Sequence, residues 1–190
     1  GMVGAKILNS DLSLQTTCVT AAPAILNQIL NFELLRRTFP KWEIWGMRAL
    51  FEKKQIPAQV EAISGACMLG KRDVMERVGT FSTDYFMYAE DMDLCVKVAQ
   101  AGWKIYYIPD AEIIHYAGGS SSSCESNFSN IALRESLIQF FRKHRGISYA
   151  RLYLLSLIAA SIVRILILAI MFPVIVFRKG RTFLFPAISK

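Results

Sequence analysis

The sequence predicts an α/β layer followed by an apolar, basic helical tail, and three observations carry that prediction. Strand-like runs alternate with helix-like runs over the first 146 residues, the pattern of a layered α/β domain. Leu152 to Phe177 is a run of 26 residues with Arg164 as its only charge and Pro173 as its only breaker. Charge divides the same way: ten Lys and Arg stand against Glu135 alone from Arg134 onward, while the first 133 residues hold twelve basic and fourteen acidic side chains. The sequence therefore reads as one α/β region, residues 2–146, and a membrane-associated tail, residues 147–190. A chain of 190 residues has room for one such domain with a sizeable core.

Taken in order, "MVGAKIL" is a short apolar strand that ends in the turn-forming "NSD". Apolar residues recur at helical spacing from Pro23 to about Phe39, and Pro40 stops them. "KWEIWGMRALFEKKQIP" is amphipathic and holds Trp42 and Trp45, residue types that suit either packing on the domain or a membrane interface. A strand to about Ala62, a glycine corner at Gly65, a second apolar run and a helix from Arg72 to Gly79 come next. The stretch "MYAEDMDLC" opens a helix from Ala89 or Glu90 to Ala101, with Gly102 as its C-terminal stop. "WKIYYIP" is a strand closed by Pro109, "AEIIHY" is another, and the Gly/Ser run after it is a flexible loop. A helix resumes near Asn127.

The tail satisfies the length of a spanning helix, roughly 20 apolar residues. Arg164 near its middle would cost about 2.5 to 3.5 kcal/mol there. Two interfacial helices meeting at Arg164 are the alternative, and they would explain the central charge and the basic flanks together. Basic charge mixed with long apolar runs points to anionic lipid and argues against nucleic acid, whose binders carry their charge on a soluble face. Cys18, Cys67, Cys95 and Cys124 are widely spaced with no C-x-x-C, so neither a zinc knuckle nor a disulfide framework is indicated, and reduced thiols in a cytosolic compartment are expected. "GMVGAKILNS" shows no signal peptide, and Gly1 before Met2 reads as a cloning scar.

Glu90, Asp91 and Asp93 place three carboxylates in the first turn of a helix. The macrodipole and the unpaired N–H groups there favour negative charge, which accounts for one acid. Mutual repulsion opposes the third, so a cation or a need for a catalytic base is the competing explanation. Asp91-Met92-Asp93 also spells D-x-D, but in a helix positions i and i+2 point about 200° apart, which does not suit joint chelation of one ion.

Those acids, with "SGAC" before them and "AGWKIYYIP" and "HYAGGSS" after them, resemble the C-terminal half of the catalytic domain of inverting, GT-A-type family 2 glycosyltransferases, in particular the rhamnosyltransferase-like branch. The resemblance runs from about Val3 to Gly146 and is strongest over Gly65 to Ser121. It implies a partial GT-A-like fold with apolar helices after it. It also implies Asp91 as general base with Glu90 beside it, and an acceptor-side corner at Gly65, Ala66 and Cys67. His115 would face a divalent metal or the diphosphate, and Arg134 would neutralise a diphosphate or lipid phosphate. A nucleotide-sugar donor, Mn²⁺ or Mg²⁺, and a lipid-linked or polysaccharide acceptor at the cytoplasmic face of a membrane follow from the same resemblance. Asp93 is expected to be structural.

The family's nucleotide-binding half, with its strand-end D-x-D, would precede "MVGAKIL". The expectation is therefore half an enzyme, inactive alone: either the sequence is truncated or the other half is a separate chain, and the exposed sheet edge and apolar surface are expected to drive self-association. A non-catalytic membrane partner or remnant of such an enzyme, and a membrane-surface module whose acids only cap a helix, are the competing functions.

Overall fold

The computed structural model of the protein describes residues 1–31, 33–116 and 126–184, with the side chains at 33, 126, 127 and 172–184 left aside. The chain divides into two compact units, Gly1–Ala150 and Arg151–Lys190.

In the first unit the apolar "MVGAKIL" forms strand β1, Met2–Leu8, at the centre of a four-stranded mixed sheet. Its neighbours are β6, Ile105–Ile114, which runs parallel to it, and β5, Met68–Gly70, which runs antiparallel. Strand β3, Ala58–Val60, closes the other side against β6, giving the order β3-β6-β1-β5. Two shorter strands, β2 at Val19–Thr20 and β4 at Ala62–Ile63, pair separately. Gly4 lets this second pair approach the sheet, because a Cβ there would lie 2.8 Å from Ile63.

Pro109 does not end a strand, as the sequence had suggested. β6 runs straight through it, and pairing with β1 jumps from Ala5↔Ile108 to Lys6↔Glu112. Residues 109 to 111 thus form a bulge, where a residue without an N–H costs no ladder hydrogen bond. The expected helix from Pro23 to Phe39 also divides. It becomes α1, Ile25–Ile29, and α2, Glu33–Thr38. The two-tryptophan stretch supplies 3-10 turns at Glu43–Trp45 and Arg48–Phe51 rather than a longer helix. Trp45 is buried in a core cluster with Ile7, Val19, Met47 and Tyr107.

Helices α3, Arg72–Val78, and α4, Glu90–Gln100, pack on the sheet through Val74, Leu94, Cys95 and Val98, against Met2, Ile63 and Ile105. Helix α5 spans Ser126–Arg145 and buries Leu137, Phe140 and Phe141. Cys18, Cys67 and Cys95 are free thiols. The Gly/Ser run after Tyr116 lies outside the described residues.

The tail is one helix, α6, Ile147–Leu184, unbroken at Arg164 or at Pro173. Two interfacial helices meeting at Arg164 are therefore not what this sequence forms, nor is the tail a set of apolar helices. Local propensity prevails: the residues on either side of Arg164 are aliphatic, and arginine itself is a good helix former. The stretch Ile147–Met171 is long and apolar enough to cross a membrane, and none of its most apolar 18-residue window is buried.

Candidate active site

The acids of "AEDMD" are aimed by an unusual turn. Tyr88 and Ala89 both have positive φ, 68° and 64°, without being glycine. Consecutive left-handed residues carry a conformational cost that the surrounding structure has to offset. Ala89 is buried, and its carbonyl accepts the N–H of Asp93 at 2.8 Å, which starts α4 directly after the turn. Glu90, Asp91 and Asp93 then leave the first turn in three directions and meet three different environments.

Asp91 faces a cleft of about 250 Å³. Its Oδ2 accepts the Gly65 N–H at 2.9 Å and its Oδ1 accepts the Met92 N–H at 2.8 Å. Gly65 stands in a tight turn held by Ser64, whose hydroxyl accepts the Ala66 N–H and whose carbonyl accepts the Cys67 N–H, each at 3.3 Å. A Cβ at position 65 would lie 3.3 Å from the Asp91 Cβ. The structure thus brings Gly65 and Asp91 together, with Ala66 and Cys67 continuing the same turn.

The cleft has two kinds of wall. Thr17, Thr20, Gln28 and Asn31 line it with hydroxyl and amide groups, whereas Ile44, Trp45, Leu133 and Leu137 are mostly apolar. None of these residues was singled out from the sequence for a site. They come from four separate segments, and no local spacing announces that they converge.

Glu90 is different. Its Oε2 is buried and has no hydrogen-bond partner among the described residues. Burial pushes its carboxyl above the ordinary range, and the neighbouring Asp91 charge adds to the rise. A raised folded value means that ionisation at neutral pH opposes folding, and that this penalty fades as pH falls toward the ordinary glutamate value of about 4.3. Glu90→Gln is therefore expected to melt at or above the wild-type temperature at pH 7, with the difference shrinking toward pH 4; thermal denaturation across that range checks it.

Asp93 turns into the protein interior and is fully buried. Its oxygens accept from Ser82 Oγ at 2.6 Å, Tyr85 OH at 3.1 Å and His144 Nε2 at 2.7 Å. Lys143 Nζ lies 3.0 Å away and Lys97 Nζ 3.5 Å. Burial alone would raise this carboxyl, but the hydrogen bonds from Ser82, His144 and Lys143 outweigh it and hold Asp93 well below the usual carboxylate range. Asp93 is structural, as expected, but it joins α4 to the end of α5 rather than only stabilising its own first turn. The D-x-D letters accordingly do not form a chelating pair: Asp91 faces the cleft and Asp93 the interior.

His115 extends the β6 ladder by one hydrogen bond, its N–H to the Leu8 carbonyl at 2.9 Å. Its Nδ1 lies 3.0 Å from Gln15 Oε1, and the Gln15 amide is in turn oriented by its Nε2 donating to Asn9 Oδ1 at 3.2 Å. With the Gln15 amide so placed, Nδ1 is the donor and Nε2 takes no part in that chain. Among the described residues no group of three or more His, Cys, Asp and Glu is placed to hold a metal ion. The described donors therefore do not fit Mn²⁺ or Mg²⁺. Arg134 is exposed on α5, next to the cleft-lining Leu133. Lys143, farther along the same helix, is engaged by Asp84 at 2.9 Å and by Asp93.

An α/β unit that sets one carboxylate in a cleft at a glycine corner agrees with the resemblance drawn from the sequence. The family model for glycosyl transferase family group 2 matches residues 31–187, and the chain belongs to that family. The chain is 42% identical over 59 residues to an N-acetylglucosaminyl-diphospho-decaprenol L-rhamnosyltransferase of Mycobacterium tuberculosis, a match covering 31% of this chain and 19% of that protein. To the rhamnosyltransferase WbbL of Escherichia coli it is 37% identical over 83 residues, 44% of this chain and 30% of that protein. An uncharacterised Sinorhizobium fredii protein, y4gI, is 31% identical over 71 residues, 37% of this chain and 8% of its own length. The chain thus matches under a third of the length of each of these relatives.

Proposed function

We propose that the chain carries the acceptor side of an inverting, GT-A-like glycosyltransferase that moves a sugar, rhamnose by analogy with the relatives, from a nucleotide sugar to a lipid-linked or polysaccharide acceptor. The observation that carries the reading is Asp91, held by the Gly65 N–H at the wall of a cleft that is polar on one side and apolar on the other. In the proposed step the Asp91 carboxylate takes the proton of an acceptor hydroxyl as that oxygen bonds to the anomeric carbon. The bond from that carbon to the diphosphate breaks on the opposite face, and the nucleoside diphosphate leaves with the electron pair. Gly65, Ala66 and Cys67 form the acceptor-side corner, with Glu90 beside the base. His115 Nε2 and Arg134 are assigned to the diphosphate, and the reaction to the cytoplasmic face of a membrane that α6 holds.

The 190 residues contain no D-x-D apart from positions 91–93, which supports placing the nucleotide-binding elements elsewhere, on a second chain or in further sequence. The purified chain is accordingly expected to give no transfer from any nucleotide sugar, and measurable turnover would overturn that part of the reading. The site itself is tested in membranes that hold the chain with its cellular partners. Gly65→Val pushes a branched side chain against Asp91, and since misplacement by about 1 Å can cost on the order of 100-fold, transfer should fall by one to two orders of magnitude at unchanged chain abundance. Wild-type transfer in Gly65→Val would remove the glycine clamp from the mechanism.

A further inference from the structure

The segment from Asn31 to Trp45 has two sides. Asn31, Arg36, Ile44 and Trp45 line the cleft, whereas Leu34, Phe39 and Trp42 are exposed at 76%, 40% and 46%. The Phe39 and Trp42 rings stack on each other, centroids 4.3 Å apart and planes within 8°. Backbone hydrogen bonds fix the turn that displays them: Trp42 N–H donates to the Phe39 carbonyl at 3.2 Å, and the indole N–H of the buried Trp45 donates to the same carbonyl at 3.1 Å. Two large rings are thus paired and rigidly presented outward, which their own packing does not require.

Charge on the same segment selects what would cover them. Residues 33 to 56 hold six Lys and Arg against three Glu. Glu43 and Glu52 both pair with Arg48. Lys41, inside the aromatic turn, and Lys53 and Lys54 are exposed and make no ion pair among the described residues. Stacked aromatic rings flanked by uncompensated lysines suit the headgroup level of an anionic bilayer, where tryptophan rings settle and basic side chains are attracted. A protein partner would call for a wider apolar patch than three side chains interleaved with lysine.

We infer that the Leu34–Trp42 turn docks the α/β unit on an anionic phospholipid surface, so that the Asp91 cleft, walled by the inner side of the same segment, opens beside the bilayer. This contact is separate from the tail: α6 supplies an apolar helix, while the turn supplies a second contact made by the α/β unit. It does not depend on the proposed chemistry, since a catalytically silent chain would dock equally well.

The test is tryptophan quenching by brominated lipid, with the full chain reconstituted into phosphatidylcholine vesicles with or without phosphatidylglycerol. Trp42→Phe isolates the signal of Trp42 from those of Trp45 and Trp103. The expected result is quenching in phosphatidylglycerol vesicles that is lost in Trp42→Phe. Each basic side chain near an anionic surface contributes roughly fivefold to binding, so reversing Lys41, Lys53 and Lys54 to glutamate should also abolish it. Leu34→Glu, which keeps all three tryptophans, should reduce quenching severalfold and guards against misfolding of the Trp42 variant. Equal quenching in wild type and Trp42→Phe overturns the inference, as does Trp42 quenching that is indifferent to phosphatidylglycerol and to lysine reversal. A Trp42 emission shift that needs only high protein concentration, without vesicles, would assign the turn to self-association and also overturn it.

Discussion

Asp91→Asn is expected to lower sugar transfer by about 10²- to 10⁴-fold in membranes containing the chain and its partners, the range lost when a general base is removed. Asparagine keeps the size of the side chain, and its carbonyl oxygen can still accept the Gly65 N–H that aspartate accepts at 2.9 Å, at the cost of the hydrogen bond from the Met92 N–H, which an amide NH2 cannot accept. The cleft should therefore keep its shape, and the loss should fall on kcat, with the acceptor KM little changed. Thermal stability within a degree or two of wild type would show that the corner has not collapsed. Transfer at the wild-type rate in Asp91→Asn would end the assignment of Asp91 as base, and with it the functional reading of the cleft.

Asp93→Ala is expected to act in the opposite way, on stability first. Its carboxylate is fully buried among Ser82, Tyr85 and His144, with Lys143 at 3.0 Å. Removing one member of a buried, paired network leaves the others unsatisfied and typically costs about 3 to 5 kcal/mol. Denaturant unfolding of the two proteins in detergent would measure it, and a cost below about 1 kcal/mol would mean that the network contributes no more than surface ion pairs do. The pH dependence has a definite sign. The folded-state carboxyl is held below its ordinary value, so the unfolded chain binds the proton more readily; Asp93 stabilises the fold above about pH 4, and that contribution drains away as pH falls further. Asp93→Ala should therefore flatten the acid limb of the stability profile.

Much of this arrangement was legible in the residues because it is local. The span of α4, the glycine after it, the apolar tail and the central strand follow from periodicity and turn chemistry within a dozen residues. Pro109 does not end its strand as the sequence suggests, because the resumption of pairing at Glu112 depends on Lys6, more than a hundred residues away. Whether the tail is one helix or two is not legible in the sequence, since Arg164 informs about cost and not about continuity. The division of labour among the three acids was only half visible. Helical geometry separates Asp91 from Asp93, but which of them meets a cleft and which meets His144, fifty-one positions on, is decided by packing. Thr17, Thr20, Gln28 and Asn31 reach the cleft from short, irregular elements whose polar residues look like ordinary surface.

The Asp93 junction also has a mechanical meaning. His144 and Lys143 stand two and three positions before Gly146, where α5 gives way to α6. The carboxylate they grip lies two positions beyond Asp91 on α4. A displacement of the last turn of α5 is thus delivered through a short polar strut to the helix that carries Asp91, so the end of α5 and the carboxylate in the cleft are tied through one buried side chain.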